Sequence, residues 1–280
     1  MTLDQAKRPL GYPSDLSDEE WEVLREIFEE LEPYQTGRPR KYDLRGILNA
    51  IFYLNKTGCP WRYLPKDFPS HHIVNYYYNK WTDSRLLEQV NLALGQRLRE
   101  KKDRLPSPTG AIIDSQSVKG TQESWFESGF DGGKLVKGRK RHIIVDTMGC
   151  LLVVWVHAAN MFDGKAARQV ITNLFSLFQT VKIIWADGGY SGAELFNWVS
   201  SQFECQLEIV KKKKGVKGFH VLPRRWVVER TFAWLGRSRR LNRDYERKPT
   251  SSEAQVYLAS GRLLLRQICN NQIQYELAVN

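Results

Sequence analysis

The sequence of 280 residues predicts an α/β protein in two parts, a helical region over 1–104 and a mixed-sheet region over 105–280. Apolar residues recur at helical spacing through most of the first hundred positions, whereas after residue 110 short β-branched runs alternate with helical patterns. Between the two lies the Pro/Gly-punctuated segment LPSPTG (105–110). With 42% hydrophobic and 12% aromatic residues, the chain can fill cores of ordinary size.

Leu16, Trp21, Leu24, Ile27, Phe28 and Leu31 share one helical face, and Ser17 followed by Glu20 forms a capping-box pattern, so the first helix starts near Ser17. Pro33 ends it, and the basic turn YQTGRPRK follows. Asp43 can cap a second helix to about Lys56, closed by Gly58. The three prolines of CPWRYLPKDFPS make a compact turn. Ser70 can cap residues 70–81, which set His71, His72, Asn75, Tyr76 and Lys80 beside apolar Ile73, Val74, Tyr77 and Trp81. Asp83 is expected to open a further helix to about Lys102. This order suits a helix-turn-helix-like unit with 70–81 as the recognition helix. A small helical bundle with surface aromatics suits it equally.

Past the linker, AIIDSQSVKG reads as a strand, 120–138 as a Gly-rich loop, and RKRHIIVDTMGCLLVVWVHAAN as a hairpin turning at Thr147–Gly149. A helix is expected from about Asp163, its N-cap, to Phe178. The short strand in VKIIWADGGYSG, a helix over Ser191–Phe203 and the strand CQLEIVKKKK follow. Pro223 is placed to open a long helix from about Arg224 to Asn242, and a last helix runs from about Ser252 to Cys269.

The formal net charge is +11, and the acidic first helix makes the remainder more basic still. Nucleic acid is the natural polyanionic partner, since lysines and arginines displace its condensed counterions. Cys59, Cys150, Cys205 and Cys269 lie far apart without metal-ligand spacing, which points to reduced thiols. No signal-peptide core or membrane-spanning run is visible, so the expected setting is cytoplasmic, in association with the nucleoid, with no membrane partner.

Three acids stand in unlike surroundings: Asp114 and Asp187 follow apolar strand segments, and Glu229 sits on a helix rich in arginine. A sheet that pairs the first two strands, with the helix laid across it, would gather three carboxylates. Hard oxygen donors of this kind suit Mg²⁺ or Mn²⁺, and a pair of such ions can drive in-line phosphodiester chemistry. Each acid alone also has an ordinary reading, as a loop cap for Asp114, a turn residue for Asp187 and an intrahelical partner of Arg225 for Glu229. Candidate DNA contacts are Arg38, Arg40, Lys41, Trp61, His71, His72, Tyr76, Lys119, Lys137, Arg139, Lys140, Arg225, Arg230, Arg237 and Arg240. Arg85, Lys134, Arg141, the lysines 211–214, Arg239 and Arg243 extend that set.

IIDSQSVK, the RKRH hairpin through HAANMFDG, ADGGYSG and RRWVVERTFAWLGRSRRLNRDYE together resemble the catalytic core of bacterial DDE transposases of insertion-sequence family five, over about 110–250. GRPRKYDLRGILNAIFYLNKTGCPWRYLP resembles the helical domain that precedes that core. The resemblance implies an RNase H-like mixed-sheet catalytic domain (105–280) behind a helical DNA-binding domain (1–104), with Asp114, Asp187 and Glu229 as catalytic metal ligands for two Mg²⁺ or Mn²⁺ ions. It implies cleavage at inverted-repeat ends and strand transfer of the 3′ hydroxyl into target double-stranded DNA, by a homodimer or higher oligomer. Arg225 matches an arginine of related families, while Leu222 and Gly236 stand where those carry tyrosine and lysine. A structure-selective nuclease or resolvase, or a DNA-binding regulator with a relic core, would share many of these features.

Overall fold

A computed structural model of the chain describes residues 11–33, 42–211 and 222–269. Four helices come first: α1 (Asp18–Leu31), α2 (Leu44–Thr57), α3 (His71–Asp83) and α4 (Leu86–Lys101). Ser17 and Glu20 close a reciprocal capping box on α1. Asp43 caps α2 through the Gly46 amide, and Gly58 ends it with φ 73°. A Cβ at Gly58 would stand 3.3 Å from the backbone of Arg239 and Arg240, so the dihedral and the close approach both require glycine. The α3/α4 boundary lies later than Asp83. Thr82 Oγ1 donates to the Tyr78 carbonyl and the Ser84 amide to the Lys80 carbonyl, which carries α3 through Asp83 until Arg85 breaks the run at φ 57°. Ser70 holds the N-cap position of α3 without a side-chain bond.

The sheet comprises β1 (Gly110–Lys119), β2 (Gly129–Asp131), β3 (Val136–Asp146), β4 (Leu151–Ala158), β5 (Ile183–Ala186) and β6 (Gln206–Ile209). Antiparallel β4 and β3 lead to β1, which pairs in parallel with β5, and β5 in turn with β6. The strand of Asp114 therefore lies beside the strand of Asp187. Helices α5 (Asp163–Leu177) and α6 (Ala193–Phe203) cover one face, and α7 (Arg225–Leu235) and α8 (Pro249–Cys269) the other.

Three segments depart from the sequence pattern. The loop expected over 120–138 contains β2, which pairs with the start of β3 where Gly129 faces Gly138, while Asp131 ties the intervening turn through the Gly133 and Lys134 amides. The long helix expected to Asn242 stops at Leu235. After Gly236 the chain makes a separate 3-10 turn at Arg239–Leu241, which points Arg240 and Leu241 inward. The last helix begins at Pro249, where proline costs no intrahelical bond.

Helix α8 works on two fronts. Val256, Tyr257 and Ala259 pack onto the sheet, whereas Ala254, Leu258, Leu264 and Leu265 complete the core of α1–α4. The change at LPSPTG is thus one of element type, and the bundle's core is closed by residues from the far end of the sequence. Polar ties reinforce the seam: Asn55 donates to Gln255, Tyr78 to the Ser251 carbonyl and Asn91 to the Leu151 carbonyl.

Glu253, on the same helix, accepts the Val156 amide at 2.9 Å. Burial, aided by nearby Glu88, raises its pKa from 4.5 to about 7. The folded protein thereby binds the proton more tightly than the unfolded chain, so this contribution to stability is full below about pH 4.5 and is lost as pH rises through 7. Glu253→Gln, which keeps an acceptor for Val156, should stabilise by about 3 kcal/mol near pH 8 and by less than about 1 kcal/mol near pH 5. Thermal melts at the two pH values check this, and equal shifts would refute it.

Candidate active site

β5 ends at Ala186, and Asp187 begins a 3-10 turn, its side chain accepting the Gly189 amide at 2.8 Å. With Ile112 opposite Trp185 in the parallel register, Asp114 and Asp187 reach the same level of the sheet. β1 does not end at Asp114, as an apolar run closed by an acid would suggest, but continues to Lys119 against β3 alone. α7 packs over β1 and β3 on one face of the sheet and brings its first residue to Asp114.

Arg225, in the first turn of α7, makes the junction. Its Nη2 lies 3.6 Å from Asp114 Oδ2, 3.9 Å from Asp187 Oδ2 and 3.4 Å from Glu229 Oε1. Three carboxylates from β1, the β5 turn and α7 thus converge on one guanidinium. Side-chain exposure rises from 15% at Asp114 through 33% at Asp187 to 46% at Glu229, so the cluster opens to solvent on its Glu229 side. Burial pushes the Asp114 carboxyl up to about 6, with Asp187 adding to the rise while the Ser115 amide and Arg225 oppose it. Among the described residues no three carboxylate, imidazole or thiol groups are close enough to grip an ion directly. The guanidinium stands between the acids instead.

A fourth carboxylate adjoins them. Asp163 does not cap α5, because Phe162 holds the N-cap position and makes no side-chain bond. Its Oδ1 accepts from Ser115 Oγ and Lys140 Nζ, each at 3.0 Å, and lies 3.6 Å from His142 Nε2. The physical cause is Lys140, buried on β3 and needing a counter-charge. His142 Nδ1 sits 2.9 Å from the Tyr190 hydroxyl, which anchors the Asp187 turn from below. Asp163 Oδ2 and Asp187 Oδ1 both border Gly189, at 3.2 and 3.0 Å from where a Cβ would stand. Ser115, His142 and Tyr190 were not among the candidates. The signal was the run RKRH leading directly into the apolar IIV of one strand, since cations in such a strand demand buried acceptors.

Several expected DNA contacts are turned inward. Arg139 is fully buried, donating to the carbonyls of Phe126, Glu246 and Arg247 at 2.6–2.8 Å and lying 3.4 Å from Asp244. Arg141 donates to the Leu241 carbonyl, Arg240 pairs with Glu246, and Lys140 serves Asp163. These four were misassigned because charge alone does not reveal burial. Arg225 faces the acids, and Arg230 lies between Trp226 and Trp234. Trp61 packs on Tyr78, and Arg85 pairs with Glu88. His72 and Tyr76 are exposed on α3, with the His71 ring tilted against that of His72, while Lys119, Lys134, Lys137, Lys211, Arg237, Arg239 and Arg243 are open to solvent. Arg38, Arg40, Lys41 and lysines 212–214 lie outside the described residues.

Residues 105–265, more than half of the chain, match the family model described as "Transposase DDE domain". The chain belongs to the DDE transposase family. A further model, "Putative transposase of IS4/5 family", matches residues 16–91, so the helical bundle as well as the sheet carries the family pattern and the subtype is IS4/IS5-like. The chain is also 29% identical over 119 residues to "Putative transposase for insertion sequence element IS402" of Burkholderia cepacia, a match covering 40% of this chain. It spans about half (55%) of that relative's length. Among the described residues of this DDE transposase, no helix is long and apolar enough to cross a membrane.

Proposed function

We propose that the protein nicks DNA at the inverted-repeat ends of an insertion sequence and joins the freed 3′ hydroxyl to target double-stranded DNA, with Asp114, Asp187 and Glu229 as catalytic residues. The observation that carries this reading is the convergence of those three side chains on Arg225. Three carboxylates less one guanidinium leave an excess of about two negative charges, and burial, with Asp187 beside it, pushes Asp114 toward its neutral form. Oxygen donors of this kind suit Mg²⁺ or Mn²⁺, which the three acids would hold only once Arg225 yields its place between them, in keeping with the family's general dependence on divalent metal. When bound, they activate the attacking oxygen and stabilise the leaving one.

The chain's own groups prepare that chemistry. Asp114 is fixed by the Ser115 amide on a strand paired along its length, and Asp187 by its own turn. Arg225 can exchange its carboxylate partners for a phosphate oxygen, because its planar fork fits either. Asp163, tied to β1 through Ser115 and to β3 through Lys140, sets its Oδ2 against Gly189 of the Asp187 turn. Asp163→Asn is expected to slow cutting roughly 10- to 100-fold, as removal of an outer partner of metal ligands does, and to raise the Mn²⁺ concentration needed. Mn²⁺ titration followed by calorimetry checks it, and unchanged ion affinity would count against the role.

The strand order and directions support an RNase H-like fold for the sheet region. The helical bundle would then serve as the DNA-binding part, with His71, His72 and Tyr76 of α3 and the exposed Lys119, Lys137 and Arg237 as contacts, in a synaptic homodimer or higher oligomer at the nucleoid. The test incubates the protein with labelled element ends, a target duplex and Mg²⁺. Joined product is expected, whereas cutting without joining would favour a structure-selective nuclease. A Mn²⁺-soaked crystal with anomalous density away from the three acids would defeat the mechanism.

A further inference from the structure

Beside the acids, α7 carries a second stripe. Trp226, Arg230, Trp234 and Arg237 follow one another along one side of the helix and its exit. The Arg230 guanidinium lies 4.7 Å from the Trp226 ring centre and 4.3 Å from that of Trp234, and it donates to the Met148 carbonyl at 2.7 Å. Arg230, Trp234 and Arg237 of this stripe form one wall of a cavity of about 320 Å³. Facing it are Lys56 from the end of α2 and Arg262 and Arg266 from α8.

Five cations therefore surround one space. Arg262 is paired with Glu20. Among the described residues Lys56, Arg230, Arg237 and Arg266 have no carboxylate partner, and Lys56 Nζ spends one bond on the Arg237 carbonyl at 2.9 Å. The crowding has a cost: burial lowers the pKa of Lys56, and Arg266, Arg237 and Arg239 lower it further. An anion would remove that repulsion. Guanidinium forks match phosphate oxygens, and the Trp234 and Phe52 rings offer an apolar wall to sugar or base.

We propose that this cavity binds phosphates of the DNA backbone, as a subsite separate from the acids; the inference rests on the DNA-processing function proposed above. The link is α7 itself, which bears Glu229 on one side and ends at Leu235, about 9 Å further along its axis, just before Arg237. A strand leaving the acids would meet the cavity within a few nucleotides. Nucleoside phosphates carry the same chemistry, so the experiment separates the two sources.

Affinity for a fluorescent duplex is measured by anisotropy across a salt series, for the wild type, Lys56→Ala/Arg266→Ala, Arg237→Ala and Glu229→Gln. Each lost phosphate contact should flatten the slope of log affinity against log salt by about 0.9, hence by about two for the double variant and one for Arg237→Ala. Binding by the double variant should weaken roughly tenfold at 0.15 M salt. Glu229→Gln should keep the wild-type slope. A wild-type slope in both cation variants, with melting midpoints unchanged, would overturn the proposal. So would calorimetric binding of pyrophosphate that the double variant loses while its duplex slope stays intact. A wild type that binds duplex with a variant-sensitive slope but never cuts would sink the transposition reading and leave the cavity standing.

Discussion

Glu229→Gln should lower strand cutting by at least about 10²-fold, the scale for removing a charged group at a reacting centre, while DNA affinity changes less than about twofold. The asymmetry follows from position. Glu229 is the most exposed of the three acids, and its described partner is the arginine four residues earlier, so its removal leaves no buried group unpaired. Asp114→Asn should be at least as damaging to cutting, for this carboxyl sits deepest and closest to the sheet backbone. Neither change should depress the melting midpoint. Single-turnover cleavage beside anisotropy makes the check, and cutting within a few-fold of wild type in Glu229→Gln would remove that residue from the chemistry.

Asp244→Ala is expected to cost about 3–5 kcal/mol, because one change strands two buried cations. Asp244 is wholly enclosed; its Oδ1 accepts from the Glu246 amide at 3.0 Å and lies 3.4 Å from Arg139, while Oδ2 accepts from Ser252 at 2.8 Å and lies 4.0 Å from Arg141. Its backbone also serves: the Asp244 amide donates to the Lys119 carbonyl, joining the segment after α7 to the end of β1. Asp244→Asn keeps an acceptor but loses the charge and should cost roughly half as much. Urea unfolding with the slope monitored distinguishes the two. A loss under about 1 kcal/mol in the alanine variant would mean that the arginines find other partners.

The acids were readable in sequence because each has a local cause that survives without tertiary knowledge. Asp114 follows a run of buried β-branched residues, Asp187 opens a Gly-Gly turn, and Glu229 shares a helical face with Arg225. The parallel pairing of β1 with β5 was equally accessible from the alternation of strands and helices. Asp163 was misread as a cap, since a helix-opening aspartate looks the same whether it bonds its own amides or a buried lysine on another strand. The basic residues divided for a similar reason. Arg139 and Lys137 are two positions apart on β3, yet one is enclosed and the other open, because two of the three carbonyls that accept from Arg139 come from residues more than a hundred positions later. Helix ends were lost where side chains rebond to the preceding turn, as Thr82 does, or where a glycine lets the chain change course, as Gly236 does.

The two-sided packing of α8 has a consequence for how the chain is made. The helices α1–α4 leave the ribosome with their apolar surfaces lacking Ala254, Leu258, Leu264 and Leu265, which follow α4 by about 150 positions or more in the sequence. The bundle must wait, half-built, until the sheet and α8 have been synthesised behind it. Premature termination anywhere upstream would release a product with greasy helices bare, prone to clumping or degradation rather than to acting as a free-standing competitor for DNA ends.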